Sequence, residues 1–198
     1  MNDRLNQQNT GFEKAFVLID YTRDFVATDG KLSVGEPGQA IEKTILEKIR
    51  STVLEGQLIV VVNDLHREND LRHPENRLFP PHNIEGTAGR KLFGQVEELV
   101  ARLEKKCPTQ VLRMDKQRYS AFFGTPLELI LRQEKTMNLE LAGVCTDICV
   151  LHTAIDAYNR GFNAVIDEDA VASFNQEAHR MALDHFEQVL GFQVKRRG

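Results

Sequence analysis

The chain has 198 residues, 41% hydrophobic and 27% charged, a balance typical of a folded globular protein. Its net charge of −4 disfavours a surface for nucleic acid or for an anionic membrane. The length predicts a single domain over residues 1–198. Three cysteines, and a polar stretch at residues 1–10 without a signal-peptide core, predict reduced thiols and a cytoplasmic location. No apolar run approaches the roughly 20 residues that span a bilayer.

Short apolar runs alternate with helical patterns along the chain. Runs typical of buried strands lie at residues 15–19, 58–62, 111–114, 139–142, 164–166 and 192–194. Helical spacing is found at residues 41–53, 92–103, 127–132, 148–159 and 176–190. Gly161 follows the fourth helical pattern, where a C-cap glycine is expected. The alternation predicts a three-layer α/β/α sandwich around a mostly parallel six-stranded sheet.

Three reactive side chains follow predicted strands. Asp20 comes directly after the first strand, Lys116 just beyond the third, and Cys149 at the start of the helix that follows the fourth. Sites in such sheets form at the carboxyl ends of the strands, so we expect the three to meet. A helix N-terminus and a nearby cation would stabilise a thiolate, and a carboxylate could take and return its proton. Backbone N–H groups in the turn at residues 143–147 could bind an oxyanion, which completes an amidohydrolase pattern.

The motifs around these residues resemble the isochorismatase-like cysteine hydrolases. They read LIDYTRDF at residues 18–25, DKQRYSAF at 115–122 and GVCTDICV at 143–150. The resemblance covers nearly the whole chain, from about residue 16 to 194. It implies that Cys149 is the nucleophile, Asp20 the general base and acid, and Lys116 the cation between them.

The same resemblance implies further features of the site. It predicts a cis peptide between Val144 and Cys145, and an oxyanion hole made by the N–H groups of Cys145 and Cys149. Cys145 is the rival nucleophile, but the family motif places the reactive thiol at the second cysteine. Phe25 and Tyr119 match positions where the family has aromatic walls around the substrate.

The irregular stretch at about residues 63–89 contains potential metal ligands. Asp64 and His66 lie two positions apart, so both would point to the same side of an extended segment. His82 could return from the far end of the loop. Carboxylate and imidazole groups suit Zn, Mn or Fe.

As a whole, this loop resembles the metal site of bacterial nicotinamidases. In one branch of that group the ligands are Asp, His, Glu and His, matched here by Asp64, His66, Glu75 and His82. Another branch has a third His instead of Glu, for which His73 is the candidate. The spacing of seven residues between Glu75 and His82 favours the first branch.

The resemblance therefore implies a cytoplasmic nicotinamidase that converts nicotinamide to nicotinate and ammonia for NAD salvage. We expect one divalent metal per chain, zinc first and Mn or Fe as alternatives, and a homodimer or homotetramer. The expected substrate is a small molecule, and no nucleic acid or membrane partner is expected. Two other hypotheses remain open: a different cysteine amidohydrolase of the superfamily, and a non-catalytic protein that uses Cys145 and Cys149 as a thiol switch.

Overall fold

The computed structural model describes residues 11–196, which form a parallel sheet covered by helices on both faces. The strands are β1 (Lys14–Ile19), β2 (Leu58–Asp64), β3 (Val111–Lys116), β4 (Asn138–Val144), β5 (Asn163–Ala172) and β6 (Gln193–Lys195). The helices are α1 (Arg23–Val26), α2 (Glu36–Ala40), α3 (Glu42–Leu54), α4 (Gly94–Lys106), α5 (Leu127–Gln133), α6 (Leu151–Asn159) and α7 (Gln176–Gln188). The predicted sandwich is confirmed. Residues 1–10, where the sequence predicts no signal peptide, lie outside the described residues.

The strands run in the order β3-β2-β1-β4-β5-β6, and every neighbouring pair is parallel. Since successive side chains of a strand point to opposite faces, each strand contributes to two apolar layers. Val17 and Ile19 pack under α5, α6 and α7, whereas Phe16 and Leu18 pack under α3 and α4. Burial on both faces explains the continuous apolar runs. No helix within residues 11–196 has the length and apolar character needed to cross a bilayer.

The largest difference from the sequence prediction is β5, which continues six residues beyond the predicted end at residue 166. The polar residues after Ile166 hide this extension in the sequence. Asp167 is paired with Lys48 of α3 at 2.7 Å, and the register between β4 and β5 shifts between Leu141 and Gly143. The ion pair and the irregular register let a polar segment continue the strand.

The helix after β4 also differs from the prediction. It begins with a π-helical turn, Thr146–Val150, before α6 continues the chain. Its end agrees with the sequence prediction: Gly161 has φ +75° and donates its N–H to the carbonyl of Tyr158, while Phe162 donates to Ala157. These are the two hydrogen bonds of a Schellman C-cap.

Candidate active site

Three strand ends converge on the thiol of Cys149. Asp20 follows β1 with the left-handed φ of +55°, and its N–H donates to the carbonyl of Val62. Lys116 is the last residue of β3, not a residue beyond it as the sequence suggested. Since β2 separates β3 from β1, the long side chain of Lys116 spans the width of one strand to reach Asp20.

The contacts among these groups are short, and the groups are buried. Lys116 Nζ lies 2.7 Å from Asp20 Oδ2, 3.4 Å from Asp64 Oδ1 and 3.6 Å from Cys149 Sγ. Asp20 is close enough to Cys149 to raise the pKa of its thiol. Asp20 is 0% exposed, Lys116 1% and Cys149 6%. The structure therefore brings together the three residues that the sequence singled out.

Burial and charge set the proton affinities of this group. Burial raises the pKa of Asp20, although the ammonium of Lys116 opposes the shift. Burial would lower the pKa of Lys116, but the carboxylates of Asp20 and Asp64 raise it well above its usual range. Burial also raises the pKa of Cys149 well above its usual range, with Lys116 acting in the opposite direction. Lys116 therefore favours the thiolate, as the sequence analysis expected, but burial acts more strongly and favours the protonated thiol.

The turn between β4 and Cys149 contains the predicted cis peptide between Val144 and Cys145. Burial raises the pKa of the Cys145 thiol to about 12. The contact of Lys116 Nζ with Cys149 Sγ at 3.6 Å favours Cys149 over Cys145 as the nucleophile. Asp147 lies in the π-helical turn that follows, which has no side-chain capping bond. Instead, the hydroxyl of Thr146 is hydrogen-bonded to His179 Nδ1 at 2.8 Å.

A second cluster lies against this group and shares Asp64 with it. Asp64, His66, Glu75 and His82 are buried, and each offers a ligand atom within 4.8 Å of the others. His66 Nε2 lies 2.6 Å from Asp64 Oδ2, and His82 Nε2 lies 3.5 Å from the same oxygen and 3.7 Å from Glu75 Oε2. Two carboxylates and two imidazoles at this spacing form a donor set suited to zinc and similar divalent ions.

The side chains of this cluster fit a metal ion. Nδ1 of His82 donates to the carbonyl of Pro80 at 2.8 Å, which leaves the Nε2 lone pair facing the cluster. That buried nitrogen has no hydrogen-bond partner among residues 11–196. Burial and the adjacent Asp64 carboxylate raise the pKa of Glu75. A cation between the carboxylates would relieve their repulsion and use the unpaired nitrogen.

His73, the alternative ligand, lies beside the cluster and not within it. Its Nε2 is bonded to the carbonyl of Gln117 at 2.8 Å, and its Nδ1 accepts from the N–H of Glu75 at 3.4 Å. Both ring nitrogens are occupied, so neither faces the other ligand atoms. The geometry favours Glu75 over His73 as the fourth ligand.

Two anchoring residues were missed in the sequence analysis. The carboxylate of Asp24 accepts the N–H of Asn83 at 2.7 Å, 59 residues away. Asn83 is fully buried with φ +45°, and its side-chain oxygen accepts from the hydroxyl of Thr22 at 2.9 Å. These contacts hold the residue next to His82. No sequence spacing links positions so distant, although LIDYTRDF contains both Thr22 and Asp24.

The two predicted aromatic walls lie in different surroundings. Phe25 is buried in the apolar layer under α3 and α4, and its ring centroid is 5.1 Å from that of His82. Tyr119 is partly buried, and its ring packs 5.1 Å from His152. Burial raises the pKa of Tyr119 to about 12, with the Glu75 carboxylate acting in the same direction and the ammonium of Lys116 against it. Phe25 therefore borders the Asp64 cluster through His82, whereas Tyr119 lines a separate surface pocket with Phe123 and His152.

Comparisons with known proteins find relatives that match nearly the whole chain. Residues 14–196 match the model of the isochorismatase domain. A Bacillus subtilis protein called the uncharacterized isochorismatase family protein PncA is 54% identical over 182 residues, which cover 92% of this chain and 98% of the relative. The crystal structure of nicotinamidase/pyrazinamidase PncA from Bacillus subtilis has a TM-score of 0.90 and 50% identity over 93% of this chain and 100% of the other.

A more distant solved structure is described with a metal. The pyrazinamidase of Pyrococcus horikoshii in complex with zinc has a TM-score of 0.80 and 29% identity, over 93% of this chain and 99% of the other. The match to the family model spans β1 through β6 and includes both clusters. On the combined evidence of the fold, the motifs and these comparisons, the chain belongs to the isochorismatase family.

Proposed function

We propose that this protein is a nicotinamidase that hydrolyses nicotinamide to nicotinate and ammonia through a thioester on Cys149. The observation that carries the proposal is the shared carboxylate of Asp64, which is 3.4 Å from Lys116 and 2.6 Å from His66. A thiol, its proton acceptor and a metal-binding cluster thus lie side by side. The relatives named nicotinamidase or pyrazinamidase support the same substrate class.

The proposed reaction begins with proton transfer from Cys149 to Asp20. The raised pKa of Asp20 makes it a stronger base than an ordinary carboxylate, and Lys116 stabilises the thiolate as it forms. The thiolate attacks the carboxamide carbon, and the N–H groups of Cys145 and Cys149 stabilise the oxyanion. Asp20 then gives the proton to the leaving ammonia. It next takes a proton from water, whose oxygen attacks the thioester. The C–S bond breaks, nicotinate is released, and Asp20 returns the proton to the sulfur of Cys149.

The metal is proposed to be held by Asp64, His66, Glu75 and His82, with zinc as the first candidate and Mn or Fe as alternatives. When bound, the ion would supply a Lewis acid that holds the pyridine nitrogen and so orients the carboxamide. Phe25 and Tyr119 would pack on the faces of the ring. NAD salvage, the cytoplasmic location, the single-domain organisation over residues 1–198 and a dimeric or tetrameric assembly remain predictions.

The thiol-switch hypothesis has less support. Such a switch needs reactive thiols, yet the pKa of Cys145 is raised to about 12 by burial. A switch also has no need of Lys116, a buried lysine paired with two carboxylates.

An amide panel tests the proposed function. Ammonia release is measured from nicotinamide, pyrazinamide, benzamide and an N-carbamoyl amine, using the purified metal-loaded protein. We expect rapid turnover of the first two substrates, because both have a ring nitrogen, and slow turnover of the others. Preference for the N-carbamoyl amine would instead identify a different amidohydrolase of the family. Absence of ammonia from every amide would favour the non-catalytic hypothesis.

A further inference from the structure

His73 connects the metal-binding cluster to the strand that carries Lys116. Residues Pro74–Arg77 form a single 3₁₀ turn, and the imidazole of His73 caps it by accepting the N–H of Glu75. The other ring nitrogen is bonded to the carbonyl of Gln117, the residue after Lys116. An acceptor at Nδ1 and a donor at Nε2 correspond to one neutral tautomer, assigned here from the two partners.

The ring also supports a second member of the cluster. The ring centroids of His73 and His66 are 4.2 Å apart. His73 is 6% exposed, so the water that could replace these contacts is largely excluded. One imidazole thus touches two of the four cluster residues, Glu75 through the backbone and His66 through its ring.

The geometry points to His73 as a positioning residue that sets Glu75 and His66 for metal binding without being a ligand itself. This inference rests on the proposed function, since it presumes that the cluster binds a metal. Groups that hold a ligand in orientation typically affect metal affinity by about 10- to 100-fold. The capping contact matters most in this account, because it fixes the turn from which the Glu75 carboxylate reaches the cluster.

Three variants separate the contacts of His73. His73→Phe keeps a flat ring beside His66 but loses both hydrogen bonds. His73→Asn keeps a capping acceptor, since Asn is a preferred N-cap residue, but is too short to reach Gln117. His185→Ala removes a histidine from α7 and serves as the control. Each protein is stripped of metal, its fold is checked by circular dichroism, and zinc affinity is measured by competition with a chromophoric chelator.

We expect the affinity of His73→Phe to fall at least about tenfold, that of His73→Asn to stay within about fivefold of wild type, and the control to be unchanged. Wild-type affinity in a folded His73→Phe protein would overturn the positioning role alone. The capping role would also be contradicted if the His73→Asn protein bound zinc no more tightly than the His73→Phe protein. A wild-type protein that binds no zinc would overturn both the positioning role and the metal part of the proposed function.

Discussion

The two clusters of the candidate site share Asp64 but are held in place differently. Asp20 directly follows β1, Lys116 is the last residue of β3, and Cys149 lies on the turn that follows β4. His66, Glu75 and His82 belong to the loop between β2 and α4, which contains two short 3₁₀ turns. A sheet positions its strand ends through continuous ladders of backbone hydrogen bonds, whereas this loop is held by short backbone turns, the bridge between His66 and Ile84, and side-chain anchors such as Asp24. Changes to single anchors should therefore disturb metal binding while leaving the arrangement of Asp20, Lys116 and Cys149 intact.

The largest effect is expected from Cys149→Ala. Removing the nucleophile should lower kcat/KM for nicotinamide at least about 10³-fold, while circular dichroism stays unchanged. Cys107→Ser is the matched control, because Cys107 lies at the end of α4, away from the site, and should keep its activity. More than a tenth of wild-type activity in Cys149→Ala would contradict the assigned nucleophile.

Lys116→Met tests whether the ammonium of Lys116 lowers the pKa of the Cys149 thiol. Lys116 lowers the pKa of Cys149 against the effect of burial, so losing the ammonium should raise that pKa further and reduce the thiolate fraction at any given pH. We expect alkylation of Cys149 by iodoacetamide to slow by at least about tenfold, which corresponds to one pKa unit. Lys43→Met, which removes an exposed lysine, is the control. An unchanged alkylation rate in a folded Lys116→Met protein would show that the two groups are not coupled.

Asp24→Ala should weaken zinc binding by the loop without changing the reactivity of the Cys149 thiol. Without the carboxylate, the buried N–H of Asn83 loses its acceptor, which costs about 1–3 kcal/mol of stability. Zinc affinity should fall by about fivefold, since Asp24 acts on His82 only through its neighbour. Alkylation of Cys149 should stay near the wild-type rate. Asp29→Ala removes an exposed acid from the same segment and is the control. Equal losses in both measurements would contradict the separation of the two clusters.

The meeting of Asp20, Lys116 and Cys149 could be predicted from the sequence, because the ends of strands are visible as the limits of apolar runs. Asp20 and Lys116 follow such runs directly, and the parallel order brings them to one edge. Less of the loop could be predicted. The spacing of its potential metal ligands indicated the cluster, but the contact between Asp24 and Asn83 joins residues 59 positions apart, which only the folded chain brings together. The raised pKa of Cys149 was also missed, because burial of the whole group outweighs the cation.

The smallest effect on the site is expected from Lys48→Met, which removes a lysine of α3 that pairs with residues of β4 and β5. Lys48 lies 2.7 Å from both Glu140 and Asp167 and is mostly buried, so its loss should destabilise the fold by about 2 kcal/mol without changing zinc affinity. Altered zinc affinity would show that the sheet below the site is coupled to the loop.

The same ion-paired group predicts how stability depends on pH. Burial would lower the pKa of Lys48, but bonds to Asp167 and Glu140 raise it, so its stabilisation is full below pH 10.5 and fades as the pH rises through the folded-state value. Burial would raise the pKa of Asp167, but Lys48 lowers it, so that stabilisation is present above pH 3.8 and fades as the pH falls through the folded-state value. Urea unfolding of wild type and Lys48→Met across pH should show the difference between them shrinking at both extremes.

The most direct test of the central claim is ammonia release from nicotinamide and benzamide before and after a chelator removes the metal. The account predicts rapid nicotinamide turnover that stops on chelation and returns when zinc is added back. Benzamide, which has no ring nitrogen, should be a poor substrate throughout. If the protein carries no metal and its nicotinamide turnover is unaffected by the chelator, the cluster of Asp64, His66, Glu75 and His82 does not serve this reaction and the metal-dependent nicotinamidase assignment is contradicted.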